Sequence, residues 1–217
     1  SYGWHGWHGR HDVVFTALTL IIKALHVRAF FCHNTIMKEN SKIYLKEAKR
    51  IDSPNFDSRP ANTEINLLVI HSISIPPSIF NNNNVELLFT NKLEESLINA
   101  EINRIKDMKL SSHLYIKRTG ELIQFVDLLQ RAWHAGKSVY DGVQDCNNYS
   151  IGIELEGFYD IVYEDIQYEV LATSIKEIRK IFPKISKDRI VGHSDIASGR
   201  KIDPGPLFDW KRIKSMI

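Results

Sequence analysis

Cysteine and net charge are both scarce in this chain of 217 residues. Its two cysteines, Cys32 and Cys146, form no CxxC pair, which argues against a disulfide framework or a cysteine zinc site. Basic and acidic side chains number 28 and 26, and a net charge of +2 provides no field to attract nucleic acid. Long apolar runs are also missing, since a membrane span needs about 20 such residues. We therefore expect no nucleic-acid partner and no stable membrane association.

What is present is typical of a folded globular protein. Hydrophobic residues make up 43% and charged residues 25%, which excludes a disordered or collagen-like chain. At 25.1 kDa the length suits one large domain, or one domain with an appendage.

Residues 1–36 differ in composition from the rest and are interpreted as an N-terminal extension. The apolar stretch 13–22 is followed by basic residues where a signal peptide needs a small-residue cleavage site. We interpret the segment as an upstream or vector-derived leader, with a docked amphipathic helix or an export signal as alternatives. Residues 37–217 hold 25 basic and 25 acidic side chains, so the charge surplus belongs to the extension.

The leader also carries three histidines at a spacing of three residues, His5, His8 and His11. They could chelate a metal if the segment were helical. Two intervening glycines argue against a stable helix, which favours a flexible His-rich leader.

From residue 37 onward, strand-like and helix-like patterns alternate, which predicts a single α/β domain. Residues 94–106 and 165–181 carry apolar residues at helical spacing, and Pro183 ends the second stripe. A hairpin is predicted around Gly120, where a tight turn needs a positive φ. The predicted strands are 65–70, 113–117, 122–126, 150–155 and 189–192.

Two of these strands lead into a histidine, His71 and His193. The segment 192–206 (GHSDIASGRKIDPGP) adds Asp195, Lys201 and Asp203, and its glycines and prolines predict a loop rather than a helix. Imidazole and carboxylate together suit zinc, and three protein ligands with an open fourth position are typical of a hydrolytic site. No HExxH motif is present, so distant segments would have to assemble such a site.

Several segments in one order identify the chain as a member of a known superfamily. They are SPNFDSRP at 53–60, RAWHAG at 131–136, CNNYSIGIELEG at 146–157 and the loop 192–206 followed by FDW. Together they resemble the zinc-dependent N-acetylmuramoyl-L-alanine amidases of the peptidoglycan-recognition superfamily. The resemblance runs from about Tyr44 to the C-terminus, and it implies a central mixed β-sheet flanked by helices.

The resemblance also implies the site residues. The zinc ligands fall on His71, His193 and Asp203, the catalytic glutamate on Glu154 and the catalytic lysine on Lys201. The implied reaction is metal-assisted hydrolysis of the amide between the lactyl group of (anhydro-)N-acetylmuramic acid and L-alanine. In that reaction Glu154 transfers protons and Lys201 stabilises the oxyanion.

A second glutamate lies close to the implied catalytic one. Glu154 and Glu156 point to the same face of a strand, separated by about 7 Å, so periodicity alone cannot choose between them. We expect Glu156 to have a structural or hydrogen-bonding role.

Substrate contacts are predicted at Trp133, Ser72 and Lys109. Trp133 offers a flat apolar face for sugar or peptide, although a packing role fits equally. Ser72 stands where the superfamily commonly has Asn, and Lys109 and Asp145 replace arginines, which puts the anchoring of peptide carboxylates in doubt. Cys146 is expected to be a packing residue, and His113 and His134 are expected to support the site or the core.

The implied substrate is a soluble anhydro-muropeptide, met in the cytoplasm during cell-wall recycling. The alternatives are an exported or phage-like amidase of polymeric peptidoglycan and a binding module without catalysis. The export alternative rests on the leader alone, and the intact ligand set argues against the binding module.

Overall fold

A six-stranded mixed β-sheet forms the centre of the molecule, in a computed structural model that describes residues 42–217. Its strands are β1 (Lys49–Arg50), β3 (Leu67–Ile73), β4 (Leu114–Ile116), β5 (Leu122–Gln124), β9 (Ser150–Glu156) and β10 (Ile190–Gly192). Their spatial order is β1-β5-β4-β9-β3-β10. Only the β4–β5 pair is antiparallel, and the other four neighbouring pairs are parallel. The predicted single α/β domain with a mixed sheet is confirmed.

Two small antiparallel pairs, five α-helices and two short 3₁₀ helices, Cys146–Asn148 and Lys187–Arg189, complete the described part of the chain. The pairs are β2 (Phe56–Asp57) with β6 (Arg131–Ala132), and β7 (Val139–Tyr140) with β8 (Val143–Gln144). The helices are α1 (Asn84–Phe89), α2 (Ala100–Ile105), α3 (Asp165–Ile181), α4 (His193–Ile196) and α5 (Trp210–Met216). Within the described residues, no helix is long and apolar enough to cross a membrane. The interpretation of the leader, residues 1–36, lies outside the described residues.

The helix α3 covers one face of the sheet and has the predicted bounds. Glu164 and Gln167 form a capping box at its start, and Pro183 follows its end. Its buried stripe packs against the apolar residues of the two central strands. From β9 these are Ile151, Ile153 and Leu155. From α3 they include Leu171, Ile175 and Ile178.

The opposite face of β9 carries only small or polar side chains. They are Ser150, Gly152, Glu154 and Glu156, all buried, because residues alternate between the two faces of a strand. Apolar clusters flank this polar strip, one around Phe89 and Phe125 and one around Val69 and Cys146. The buried position of Cys146 agrees with its predicted packing role.

Three predicted elements differ from the structure. The helix predicted over 94–106 begins only at Ala100, where the Asn99 side chain accepts a hydrogen bond from the Ile102 N–H at 3.1 Å. This cap starts the helix late, and Leu97 and Ile98 are left exposed rather than forming a buried stripe. Apolar spacing alone therefore placed the start of the helix wrongly.

The other two differences concern the histidines. The strand β3 was predicted to end before His71, yet it continues to Ile73 because β9 pairs with it over its whole length. The segment 192–206 was predicted as loop, yet it opens with one helical turn, His193–Ile196. The Asp195 carboxylate caps that turn by accepting the Gly192 N–H at 2.7 Å.

Candidate metal and catalytic site

Three side chains from two segments, the strand β3 and the segment 192–206, converge at the carboxyl end of the sheet. His193 Nδ1 lies 3.0 Å from His71 Nδ1 and 3.1 Å from Asp203 Oδ2, and the latter atom lies 3.4 Å from His71 Nδ1. A tetrahedral metal with bonds of about 2.0–2.1 Å has ligands roughly 3.3 Å apart. The three side chains predicted as ligands therefore form a group that can hold a metal ion.

Strand register accounts for this convergence. In the parallel pair β3–β10, Ile70 lies opposite Gly192, so the next residue of each segment is a histidine at the same sheet edge. The backbone then returns so that the Ser194 N–H donates to the Asp203 carbonyl at 2.9 Å. Strand pairing and one further backbone hydrogen bond thus bring together residues that are far apart in the sequence.

The hydrogen bond at the far side of His193 determines which ring nitrogen is protonated. His193 Nε2 lies 3.0 Å from the Ala135 carbonyl oxygen, which can only accept. Nε2 therefore carries the hydrogen, and Nδ1 presents a lone pair to the candidate metal position.

A longer chain of hydrogen bonds does the same for His71. The Ser150 hydroxyl donates its hydrogen to the Cys146 carbonyl at 2.6 Å, so it accepts from His134 Nε2 at 3.2 Å. His134 Nδ1 is then an acceptor, and His71 Nε2 donates to it at 2.9 Å. The Nδ1 lone pair of His71 is consequently also directed at the candidate metal position.

The result is a buried cluster of acceptors without a proton between them. Burial lowers the pKa of His71 to about 4, so its ring is neutral at pH 7. Two imidazole lone pairs and a carboxylate at such short range repel one another unless a cation lies among them. Two nitrogens and one oxygen form a donor set that suits zinc.

Glu154 lies on β9, directly opposite His71 on β3. Its side chain is 8% exposed, and its Oε2 atom has no hydrogen-bond partner among the described residues. Burial raises the pKa of its carboxyl well above the usual value, nearby Asp203 raises it further, and Lys201 acts in the opposite direction. A buried carboxyl with a raised pKa beside a metal position is suited to proton transfer.

Glu156, two residues further along the same face, is hydrogen-bonded very differently. Its two carboxylate oxygens accept the backbone N–H groups of Asn81 at 2.6 Å and Arg118 at 2.9 Å. It therefore holds a loop and the hairpin turn in place. The structure thus separates two glutamates that the strand periodicity left equivalent.

A cavity of about 360 Å³ opens beside the metal-ligating group. Three cationic side chains line it, and no acidic side chain is among its lining residues within the described range. The cations are Lys109, Arg200 and Lys201, and Trp133 forms part of the wall. The Trp133 Nε1–H finds no acceptor among the described residues. Of the predicted substrate contacts, Lys109 and Trp133 thus lie at the cavity.

Ser72 is not brought together with them. It follows His71 in β3 and so points to the opposite face of the sheet, beside the Tyr163 hydroxyl. Asp145 is exposed and is not among the cavity-lining residues. The charge reversal at Asp145 therefore lies outside this cavity.

The supporting histidines have distinct positions. His113 is fully buried, accepts the Gly152 N–H at Nδ1 and has the Gln130 carbonyl 3.0 Å from Nε2, so it belongs to the core. His134 instead contacts the candidate ligand His71. The sequence reasoning missed the Ala135 carbonyl and the Asn147 side chain, although both lie within segments that carried the resemblance.

The fold and this site together define a mixed α/β domain with a His–His–Asp group that can hold a metal ion. A family model described as N-acetylmuramoyl-L-alanine amidase (Amidase_2) matches residues 61–206, and the chain belongs to that family. It therefore belongs to a class of enzymes that hydrolyse an amide bond of peptidoglycan.

The chain is also similar to individual amidases of this family, both in sequence and in structure. The chain is 45% identical to the 1,6-anhydro-N-acetylmuramyl-L-alanine amidase AmpD of Haemophilus influenzae, over 83% of this chain and 98% of that protein. The crystal structure of an Se-Met AmpD derivative matches with a TM-score of 0.77 at 41% identity, over 80% of this chain and 96% of that one.

A substrate complex is also similar. The Escherichia coli amidase AmiD, in complex with anhydro-N-acetylmuramic acid-L-Ala-D-γ-Glu-L-Lys, matches with a TM-score of 0.52 at 27% identity. The match covers 73% of this chain and 60% of that one. The family predicted from the sequence motifs is confirmed.

Proposed function

We propose that this chain is a zinc-dependent amidase that releases the peptide from 1,6-anhydro-N-acetylmuramic acid during cell-wall recycling. The observation that carries the proposal is the His71–His193–Asp203 group beside a cavity lined by Lys109, Arg200 and Lys201. The similar AmpD proteins are named for this substrate, and the AmiD complex contains it. The scissile bond joins the lactyl carbonyl to the L-alanine nitrogen.

His71, His193 and Asp203 would hold the zinc ion. A zinc ion held there would polarise the amide carbonyl and lower the pKa of a bound water to about 7. The protein contributes rigid ligands, because each histidine is anchored through the nitrogen that does not face the metal position.

Glu154 is the proposed proton carrier. It accepts a proton from the attacking water as the new C–O bond forms, and it passes a proton to the amine nitrogen as the C–N bond breaks. Its buried position and raised pKa favour both steps, because they bring the pKa of the carboxyl closer to the pKa values of the groups that give and take the proton.

Lys201 is the proposed electrostatic partner of the oxyanion. It lines the cavity and lowers the pKa of Glu154, so its charge acts at the proposed reacting centre. A cation beside a developing negative charge lowers the barrier of acyl transfer.

Lys109 and Arg200 are proposed to attract the carboxylates of the stem peptide. The chain outside the leader has no net charge, so recognition of an anionic substrate depends on such local groups. Trp133 would supply an apolar wall. We propose a cytoplasmic location, as expected for an enzyme whose substrate is a soluble recycling intermediate.

The test uses purified full-length protein with two substrates, anhydro-muropeptide and intact sacculi, each with and without a chelator. Chelator-sensitive peptide release from the soluble substrate supports the proposal. Release mainly from sacculi would instead indicate an amidase of polymeric peptidoglycan. Binding without release would overturn the proposal. Release that persists after metal analysis shows that the chelator has removed all metal would also overturn it.

A further inference from the structure

The two histidine ligands share one support. His71 is oriented by the side chain of His134, and His193 is oriented by the carbonyl of Ala135. These two supporting residues are consecutive in the chain. Whatever holds the peptide between His134 and Ala135 therefore determines the direction of both ligands at once.

That peptide lies beyond the end of the β2–β6 pair, whose last residue on this side is Ala132. The backbone N–H groups of His134 and Ala135 consequently have no strand partner among the described residues. The Asn147 Oδ1 atom accepts both of them, from His134 N at 3.1 Å and from Ala135 N at 2.8 Å. Both lone pairs of one amide oxygen are used for this purpose.

Asn147 is itself held rigidly. The half-buried Arg59 guanidinium donates to the carbonyls of Asn147 at 3.0 Å, Asn148 at 2.8 Å and Ser150 at 2.9 Å. Since Ser150 also anchors His134, both ends of the support are fixed to the same short segment.

We propose that Asn147 is a positioning residue for the metal, acting through His134 and Ala135 on both histidine ligands. The proposal rests on the proposed metal-dependent function. Asn147 does not touch the metal position itself. Its contribution is to keep the two Nδ1 lone pairs convergent, and outer supports of this kind typically change metal affinity by about 10–100-fold.

The test measures zinc affinity by competition with a chromophoric chelator. The background is the full chain with His5, His8 and His11 replaced by alanine, so that the leader does not bind metal. Asn147→Ala is expected to weaken zinc binding by about 10–100-fold. Asn147→Asp keeps an acceptor oxygen and is expected to stay within about threefold, because the two hydrogen bonds remain.

Asn148→Ala is the matched control. It removes the neighbouring amide of the same turn, whose Oδ1 accepts from Arg131 Nε at 2.7 Å and contacts neither supporting residue. Unchanged zinc affinity is expected, even if urea unfolding shows reduced stability. If Asn147→Ala does not fold, Asn147→Ser, a smaller change, replaces it and is expected to bind zinc several-fold more weakly.

The absorption spectrum of the Co²⁺-loaded protein gives a second measure, because it reports the geometry of the ligands. A changed spectrum is expected for Asn147→Ala or Asn147→Ser and not for Asn148→Ala. Wild-type zinc affinity and spectrum in the folded Asn147 variant would overturn the inference. Equal weakening by Asn148→Ala would also overturn it, since the effect would then belong to the turn as a whole.

A failure of the proposed function is distinguishable from these results. If the proposed function is wrong, His193→Ala does not reduce the zinc binding of the parent protein, because no zinc site exists at that position. In the outcome specific to the inference, the parent protein binds zinc at that site and the Asn147 variants bind it equally well.

Discussion

The two faces of strand β9 are both buried, yet they consist of different chemistry. On one face Ile151, Ile153 and Leu155 pack under α3, and on the other Ser150, Gly152, Glu154 and Glu156 form a buried polar strip. The apolar face stabilises the sheet by removing side chains from water. The polar face is organised by hydrogen bonds that direct ligands and loops. One strand thus separates stability from chemistry by the alternation of its side chains.

Glu154→Gln tests the polar face with the largest expected effect on activity. The change keeps the shape of the side chain and removes its proton, so kcat is expected to fall by about 10²–10⁴. Zinc affinity and the urea midpoint should change little, because Glu154 is not a ligand. Steady-state kinetics on anhydro-muropeptide and a zinc titration measure both. Near-normal turnover by the folded variant would contradict the assignment.

Ile153→Ala tests the apolar face of the same strand. The residue is fully buried, so its truncation is expected to reduce the free energy of unfolding by about 2–5 kcal/mol. The folded fraction should keep wild-type kcat and zinc affinity. Urea unfolding and kinetics below the transition measure these quantities. A loss of kcat comparable to that of Glu154→Gln would show that the two faces are not separable.

Gly152→Ala tests the polar face by steric means. An added Cβ would lie 2.5 Å from His134 Cγ, and an imidazole ring cannot yield at that atom without moving as a whole. A destabilisation of about 1–3 kcal/mol is expected, together with weaker zinc binding. Unlike Ile153→Ala, this variant should lose both stability and metal affinity. Retained zinc affinity would argue against the support of His71 by His134.

Acid should destabilise the folded protein through two buried histidines that contact the polar face, His113 and His134. Burial lowers the pKa of His113 to about 3 and that of His134 well below 6.5. As the pH falls below about 6.5, the unfolded chain takes up protons that these folded histidines do not, so stability is lost on acidification. Each histidine contributes up to about 1.4 kcal/mol per pH unit.

Urea unfolding of chelator-treated protein at pH 7.0 and pH 5.5 measures this loss. His113→Gln should flatten the dependence, because one of the buried neutral histidines is then absent. A stability that does not change between these two pH values would contradict the prediction.

Lys109→Ala carries the smallest expected effect. The residue lines the cavity but is exposed, so its removal should lower kcat/KM by about fivefold or less. Asp145→Arg, outside the cavity, is expected to leave kcat/KM unchanged. Kinetics at low and high salt compare the two. A larger effect at Asp145 than at Lys109 would mean that the substrate extends beyond this cavity.

Much of this architecture could be predicted from local patterns. The helix at Asp165–Ile181 carries a complete apolar stripe, a capping box and a following proline, and all three signals agree. The predicted helix at 94–106 failed because its apolar spacing was not accompanied by a cap at its start. Asn99 caps the observed helix, which begins at Ala100, six residues later than the spacing predicted.

The candidate site was predictable only as a set of residue types. Two histidines after strands, a carboxylate and a cation in one loop, and the motifs of the amidase family all lie in the linear sequence. The spatial relation between Glu154 and Glu156 does not, because two residues on one strand face have the same periodicity. Only their partners distinguish them.

The sequence by itself determined the α/β class, the family and the candidate metal-binding residues, because each depends on local composition and order. The tertiary structure decided which nitrogen of each histidine faces the metal position. It also placed Ser72 on the far side of the sheet and one amide, Asn147, behind both ligands. These features depend on hydrogen bonds between segments that are distant in the chain, and such contacts exist only after the sheet has formed.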